Sequence, residues 1–182
     1  MIKDYWLKVL KEIKQSFLKK SAEKGSALVL IDWENIVQNW PSKGINLTYD
    51  SVYQRFTNLL KRVTKEAGAV FAVYVFSPDY LTSTWAETFW ELGFPVINCP
   101  KIKKESEKDT VDETLIREGK KLINLPISHL CVVSGDSDFI PLYDEASRKN
   151  IKIIIVAASL DSLSRDLFAE NKTKRKVLLF DF

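Results

Sequence analysis

Histidine and cysteine are scarce in this 182-residue chain, which has one of the former and two of the latter. A lone imidazole, His129, cannot build a multi-histidine metal site and pairs with no serine in a recognisable motif. At the start of an apolar run it reads as structural. Cys99 and Cys131 both fall within apolar, strand-like runs, and their spacing matches neither a disulfide framework nor a zinc site. Reduced, buried thiols are expected. Also missing is any run approaching the roughly 20 apolar residues that span a bilayer. Lys3, Lys8, Lys11 and Lys14 break up the N-terminal apolar residues before a secretory signal can form. The expectation is a cytoplasmic protein with no membrane span.

What is present is ordinary for a globular domain: 46% hydrophobic and 28% charged residues, in a length that suits one domain with a proper core. The net charge of +3 is unevenly placed, since residues 1–24 carry seven lysines against three acids while the remaining bases and acids nearly cancel. In that arm Ile2, Trp6, Val9, Ile13 and Phe17 recur at helical spacing, the signature of an amphipathic helix. Its continuous apolar face needs cover, by docking on the domain or by pairing in a homodimer. An anionic membrane surface or RNA are other uses for its lysines. Gly25 reads as its terminator, which divides the chain into a basic arm, 1–25, and a domain, 26–182.

Beyond the arm, apolar runs at 27–31, 69–76, 94–99, 129–133, 151–157 and 177–180 read as strands. Helical patterns at 50–65, 84–92, 110–124, 139–149 and 162–168 separate them, one in each interval. Asp50 or Ser51 is the expected cap of the first of these helices, a Thr110/Glu113 capping box that of the third, and Ser77-Pro78-Asp79 reads as a turn. Strands alternating with helices need crossover connections, so the fold class is α/β, with a central, mostly parallel sheet covered by helices on both faces. In such sheets ligands bind outside the carboxyl ends of the strands, near the point where strand order reverses. Acids at strand ends are therefore the residues to inspect.

Asp32 directly follows the run Leu28 to Ile31. Asp136 follows the run Cys131 to Val133 by way of Ser134 and Gly135, whose freedom from a side chain suits a sharp backbone turn. Asp112 falls in the first turn of the helix opened by Thr110, where exposed amides favour a carboxylate. Any one of these acids alone is an ordinary cap or turn residue. Three that converge are costly, because carboxylates ~4 Å apart repel by about 4 kcal/mol at an effective dielectric near 20. A hard divalent cation, Mg²⁺ or Mn²⁺, relieves that repulsion and suits a site without cysteine or histidine ligands. Such a cation lowers the pKa of a bound water, orients a phosphate oxygen and stabilises the leaving oxygen. Phosphodiester hydrolysis needs those services and no protein nucleophile. Asp138 is a further acid for the metal, Asn35 completes the coordination sphere or holds the attacking water, and Ser134 and Ser137 stand where water or substrate is positioned.

The strings Ile31-Asp32-Trp33-Glu34-Asn35 and Ser134-Gly135-Asp136-Ser137-Asp138-Phe139-Ile140-Pro141-Leu142 together resemble the NYN domains, relatives of the PIN-domain nucleases. Val111-Asp112 lies between them in the expected order. The resemblance covers residues from about 26 to 170 and leaves the arm outside. It implies a PIN-like Rossmannoid three-layer fold and a metal-dependent ribonuclease, with Asp32, Asn35, Asp112, Asp136 and Asp138 at the acidic-site positions. Glu113 departs from the pattern, since many relatives carry a small or apolar residue after the helix-start aspartate.

The loop before that helix is unusually charged. Its Lys101, Lys103, Lys104 and Lys108 either track the backbone of a single-stranded RNA or form a solvated surface, and the cluster from Lys172 to Lys176 invites the same two readings. Trp33 either stacks on a base or anchors the site loop from below. Two rival functions stand beside the ribonuclease. A non-catalytic RNA-binding or scaffold module would keep the fold and the basic patches without a metal. A phosphatase of the haloacid dehalogenase type is suggested by Gly135-Asp136-Ser137, but that chemistry wants a second aspartate two residues after the nucleophile, where this chain has Glu34.

Overall fold

A computed structural model describes residues 25–100, 110–169 and 175–180. The expected N-terminal helix, the homodimer built on it and the lysines of the 101–108 loop lie outside the described residues. The apolar runs form six strands: β1 (Ala27–Asp32), β2 (Val70–Pro78), β3 (Val96–Cys99), β4 (His129–Val133), β5 (Lys152–Ala157) and β6 (Arg175–Leu179). All pair in parallel, in the order β3-β2-β1-β4-β5-β6. Between them run α1 (Trp33–Asn39), α2 (Tyr49–Ala67), α3 (Asp79–Leu92), α4 (Thr110–Leu122), α5 (Ile140–Arg148) and α6 (Arg165–Ala169).

Two-residue periodicity sends alternate side chains of each strand into opposite layers. On one face Val29, Ile31, Cys131 and Val133 pack with Val52, Phe56 and Val63 of α2 and Phe89 of α3. On the other, Leu28, Leu30, Leu130 and Val132 pack with Leu115 of α4 and Leu142 and Ala146 of α5. Both cysteines are buried thiols, and burial pushes that of Cys131 far above its usual range. No helix among the described residues is long and apolar enough to cross a membrane.

After β3 the chain recrosses the sheet to lay β4 against the free side of β1, pairing Ile31 with Val133. The helices that leave β1 and β4 therefore cover opposite faces, and a crevice opens between the two strand ends. This is the switch point of the fold, and Asp32 and Ser134 flank it.

Several local expectations are corrected. The helix α1 has no counterpart among the helical patterns; it starts immediately after β1 because Asp32 caps it, its side chain accepting from the Asn35 amide at 3.1 Å. Thr48, not Asp50 or Ser51, caps α2, accepting from the Ser51 amide at 3.3 Å. Ser77-Pro78 is not a turn: both residues stay in β2, paired with Asn98 and Cys99, and α3 begins at Asp79, five residues earlier than its apolar pattern. Pro78 is tolerated because the end of a strand requires no further donor there. The Thr110/Glu113 capping box is absent, since Thr110 is itself helical and its buried hydroxyl makes no hydrogen bond among the described residues. Gly135 takes no positive φ. A Cβ there would stand 2.0 Å from the Ser162 carbonyl oxygen, so the glycine serves close approach of the 160–162 turn, not a sharp bend.

Candidate active site

At the end of β1, Asp32 is only 4% exposed. Its Oδ1 accepts from the Asn35 amide at 3.1 Å and its Oδ2 from Ser134 Oγ at 3.1 Å. Ser134, 1% exposed at the end of β4, accepts in turn from the Asp136 amide at 3.3 Å. Asp136 Oδ1 then accepts from the Asp138 amide at 3.0 Å, which caps a single turn of 3-10 helix, Ser137–Phe139. One continuous chain of hydrogen bonds thus joins the ends of the two central strands and fixes the loop that follows β4.

Over that loop the first turn of α4 brings in Asp112. Carboxylate oxygens of Asp112, Asp136 and Asp138 lie within 4.8 Å of one another. The expected trio was Asp32, Asp112 and Asp136; in the structure Asp138 takes the third place and Asp32 lies outside the close group. The reason is local. A buried residue that caps a helix and accepts from Ser134 has its oxygens directed at protein donors, whereas Asp138, exposed on the 3-10 turn, is free to lean over the crevice.

The other expected site residues separate. Asn35 stays at the crevice, half-buried, its Oδ1 accepting from Asn39 Nδ2 at 3.2 Å. Ser137 is half-buried on the capped turn. Trp33 is 0% exposed, packed edge-on to Trp85 and Phe89 with centroids 5.1 and 4.9 Å away. No ring face remains for a base, so its place among the RNA-binding residues is corrected to that of an anchor. Of the 172–176 cluster, Arg175 is held by Asp144 at 3.1 Å and lies over the Tyr143 ring, and Lys176 pairs with Glu66. Both start β6, at the edge of the sheet remote from the crevice. His129, at the amino end of the central strand β4 and so likewise away from the crevice, is depressed in pKa by burial and then by Lys152.

One pair escaped the sequence reading. Glu34, 5% exposed, accepts from the Tyr80 hydroxyl at 2.7 Å, joining the first turns of α1 and α3 at the carboxyl edge of the sheet. A glutamate in the first turn of a helix and a tyrosine just past a proline are each commonplace, and only their meeting is informative.

Parallel strands in this order, with three carboxylates gathered over the switch point, define a Rossmann-like protein with an acid-centred crevice. The chain belongs to the NYN domain family, whose model matches residues 26–174, and so to the PIN-like nuclease superfamily that the two sequence strings imply. A solved structure of a protein of unknown function from Vibrio parahaemolyticus is similar, with a TM-score of 0.67 and 18% identity over 87% of this chain and 94% of that one. At that identity the likeness speaks for the fold. No functionally curated protein matches the sequence.

Proposed function

We propose that this protein is a metal-dependent ribonuclease that hydrolyses phosphodiester bonds of single-stranded RNA. The observation that carries the reading is the carboxylate trio Asp112, Asp136 and Asp138, within 4.8 Å, at the switch point of a NYN-family fold. The donor set fits a hard divalent cation: three carboxylates from the described residues, with no thiolate or imidazole among them, are the ligands of Mg²⁺ or Mn²⁺. Asp112, Asp136 and Asp138 would hold it. When bound, such an ion supplies the positive charge that polarises a phosphate and eases the loss of a proton from water.

The remaining residues prepare the place. Asp32 is a positioning residue: through Ser134 it fixes the Asp136 amide, and through its cap it fixes α1 and with it Asn35. Ser137 sits on the turn that Asp136 closes. Asn35 and Ser137 offer neutral polar groups that orient water or a phosphate oxygen without adding charge to a site already rich in it. Asp32 does not suit the phosphatase rival, which needs it as a nucleophile, because it is buried and both oxygens accept hydrogen bonds.

Asp136→Asn is the decisive substitution. Asparagine keeps an oxygen for the Asp138 amide, so fold and RNA affinity should survive while Mn²⁺-dependent cleavage of single-stranded RNA falls on the order of 100-fold or more. Cleavage that persists in this variant argues against the mechanism. If the wild-type protein binds RNA yet cuts none across several sequences and metals, the non-catalytic module is the better account.

A further inference from the structure

Trp33 and Phe139, which adjoin Asp32 and Asp138 in sequence, are both buried, but an exposed tyrosine opens the helix after β2, at the same carboxyl edge of the sheet. Tyr80, in the first turn of α3, exposes 54% of its surface, while its hydroxyl is spent on the buried Glu34 carboxylate at 2.7 Å. Surface tyrosines ordinarily do the reverse, burying the apolar body and leaving the polar tip in water. Here the tip is anchored while more than half of the residue stays exposed. Glu34 lies in the first turn of α1, two residues after Asp32, a backbone span of at most about 7 Å, so the anchor point belongs to the carboxyl end of β1, the strand whose Asp32 flanks the crevice.

The segment bearing Tyr80 is itself fastened. Asn98 Nδ2 donates to Asp79 Oδ1, and the Thr82 hydroxyl shares its one proton between Asn98 Oδ1 at 3.2 Å and the Pro78 carbonyl at 3.1 Å. The start of α3 is thus tied to the end of β3. A ring held at both its backbone and its hydroxyl has little freedom left to lose when a flat partner settles on it, which is the condition for a preorganised contact.

We propose that Tyr80 is a stacking platform for a nucleobase of single-stranded RNA, flanking the phosphate that sits over Asp112, Asp136 and Asp138. The inference rests on the ribonuclease reading and assigns one subsite of it. A base is the fitting occupant because it is flat and uncharged: a phosphate beside the Glu34 carboxylate would be repelled, whereas a base offers a π-face to the ring.

The test is equilibrium binding of a labelled single-stranded RNA, and of the same strand with abasic sites, in the Asp136→Asn background so that the strand stays intact. Tyr80→Ala should weaken binding of the base-bearing strand on the order of five- to 100-fold and leave the abasic strand nearly unaffected. Tyr80→Trp should retain the preference for bases, and Tyr80→Phe, which keeps the ring and drops the tether, should fall between. In otherwise wild-type protein Tyr80→Ala should raise KM and leave kcat within a few-fold. Equal losses on both strands, or no loss on either, overturn the stacking role while the ribonuclease reading stands. If the Asp136→Asn parent binds neither strand, the RNA reading fails and this subsite with it.

Discussion

With Ser134 Oγ donating to Asp32 Oδ2 at 3.1 Å and accepting from the Asp136 amide at 3.3 Å, one hydroxyl ties the ends of β1 and β4 together. Its burial is near complete, so no water stands ready to replace it. Ser134→Ala removes a donor from a buried carboxylate and an acceptor from a backbone amide, a loss of about 1–3 kcal/mol by the usual cost of buried groups deprived of a partner. Urea unfolding monitored by circular dichroism measures it. Because Asp136 loses part of its support, cleavage should fall by about 10- to 100-fold as well, as when outer groups that orient metal ligands are removed. A variant as stable and active as the wild type would show that the two strand ends are held by something else. At this scale the sequence was only partly legible. Ser134 could be named as a positioning group from its place beside Asp136, but whether it served water, substrate or protein depended on Asp32 lying across the crevice, a fact of strand order that no local pattern carries.

At the scale of the element, all six strands were legible because each contains an apolar run, although β2 continues through Ser77-Pro78 and β6 starts on Arg175 and Lys176. The helices were legible where they are long. The short α1 was not, because its seven residues begin inside the motif that also reads as a site loop, and Trp33 and Ile36 look as much like loop anchors as like one face of a helix. Its start depends on one side chain. Asp32→Ala removes the cap and the Ser134 acceptor together, and helix caps alone contribute about 0.5–2 kcal/mol. A destabilisation of about 1–3 kcal/mol is expected. Asp32→Asn retains an oxygen for the Asn35 amide and turns an amide group toward Ser134 Oγ, so it should stay within about 1 kcal/mol of wild type. The contrast, measured by chemical denaturation with RNA cleavage followed in parallel, separates the cap from the charge. Equal stability losses in the two variants would mean that the negative charge, not the hydrogen-bond geometry, holds the turn together.

Across the whole molecule, the acidic trio joins parts that the chain does not join locally: Asp112 comes from a helix on one face of the sheet, and Asp136 and Asp138 from the loop after β4. The unfolded chain has no such cluster, so a cation that binds it stabilises the native state alone, by an amount set by its concentration over its dissociation constant. In EDTA the opposite force remains. Each pair of carboxylates within 4.8 Å repels by about 1 kcal/mol in water-like surroundings and by more where the dielectric is lower. Asp138 takes part in two such pairs. Against this, a carboxylate near a helix start gains about 0.3–1 kcal/mol, less in a turn of three residues, so the repulsion wins. Asp138→Asn should therefore raise the urea midpoint in EDTA, by about 1 kcal/mol in stability. In saturating Mn²⁺ it should lower the midpoint relative to wild type, because one ligand has been lost. The reversal of sign is the readout, and it requires no substrate and no activity. If Mn²⁺ leaves the wild-type midpoint where it was, or if the substitution acts in the same direction under both conditions, the three carboxylates do not share an ion, and Asp112, Asp136 and Asp138 are a surface cluster that the fold merely tolerates.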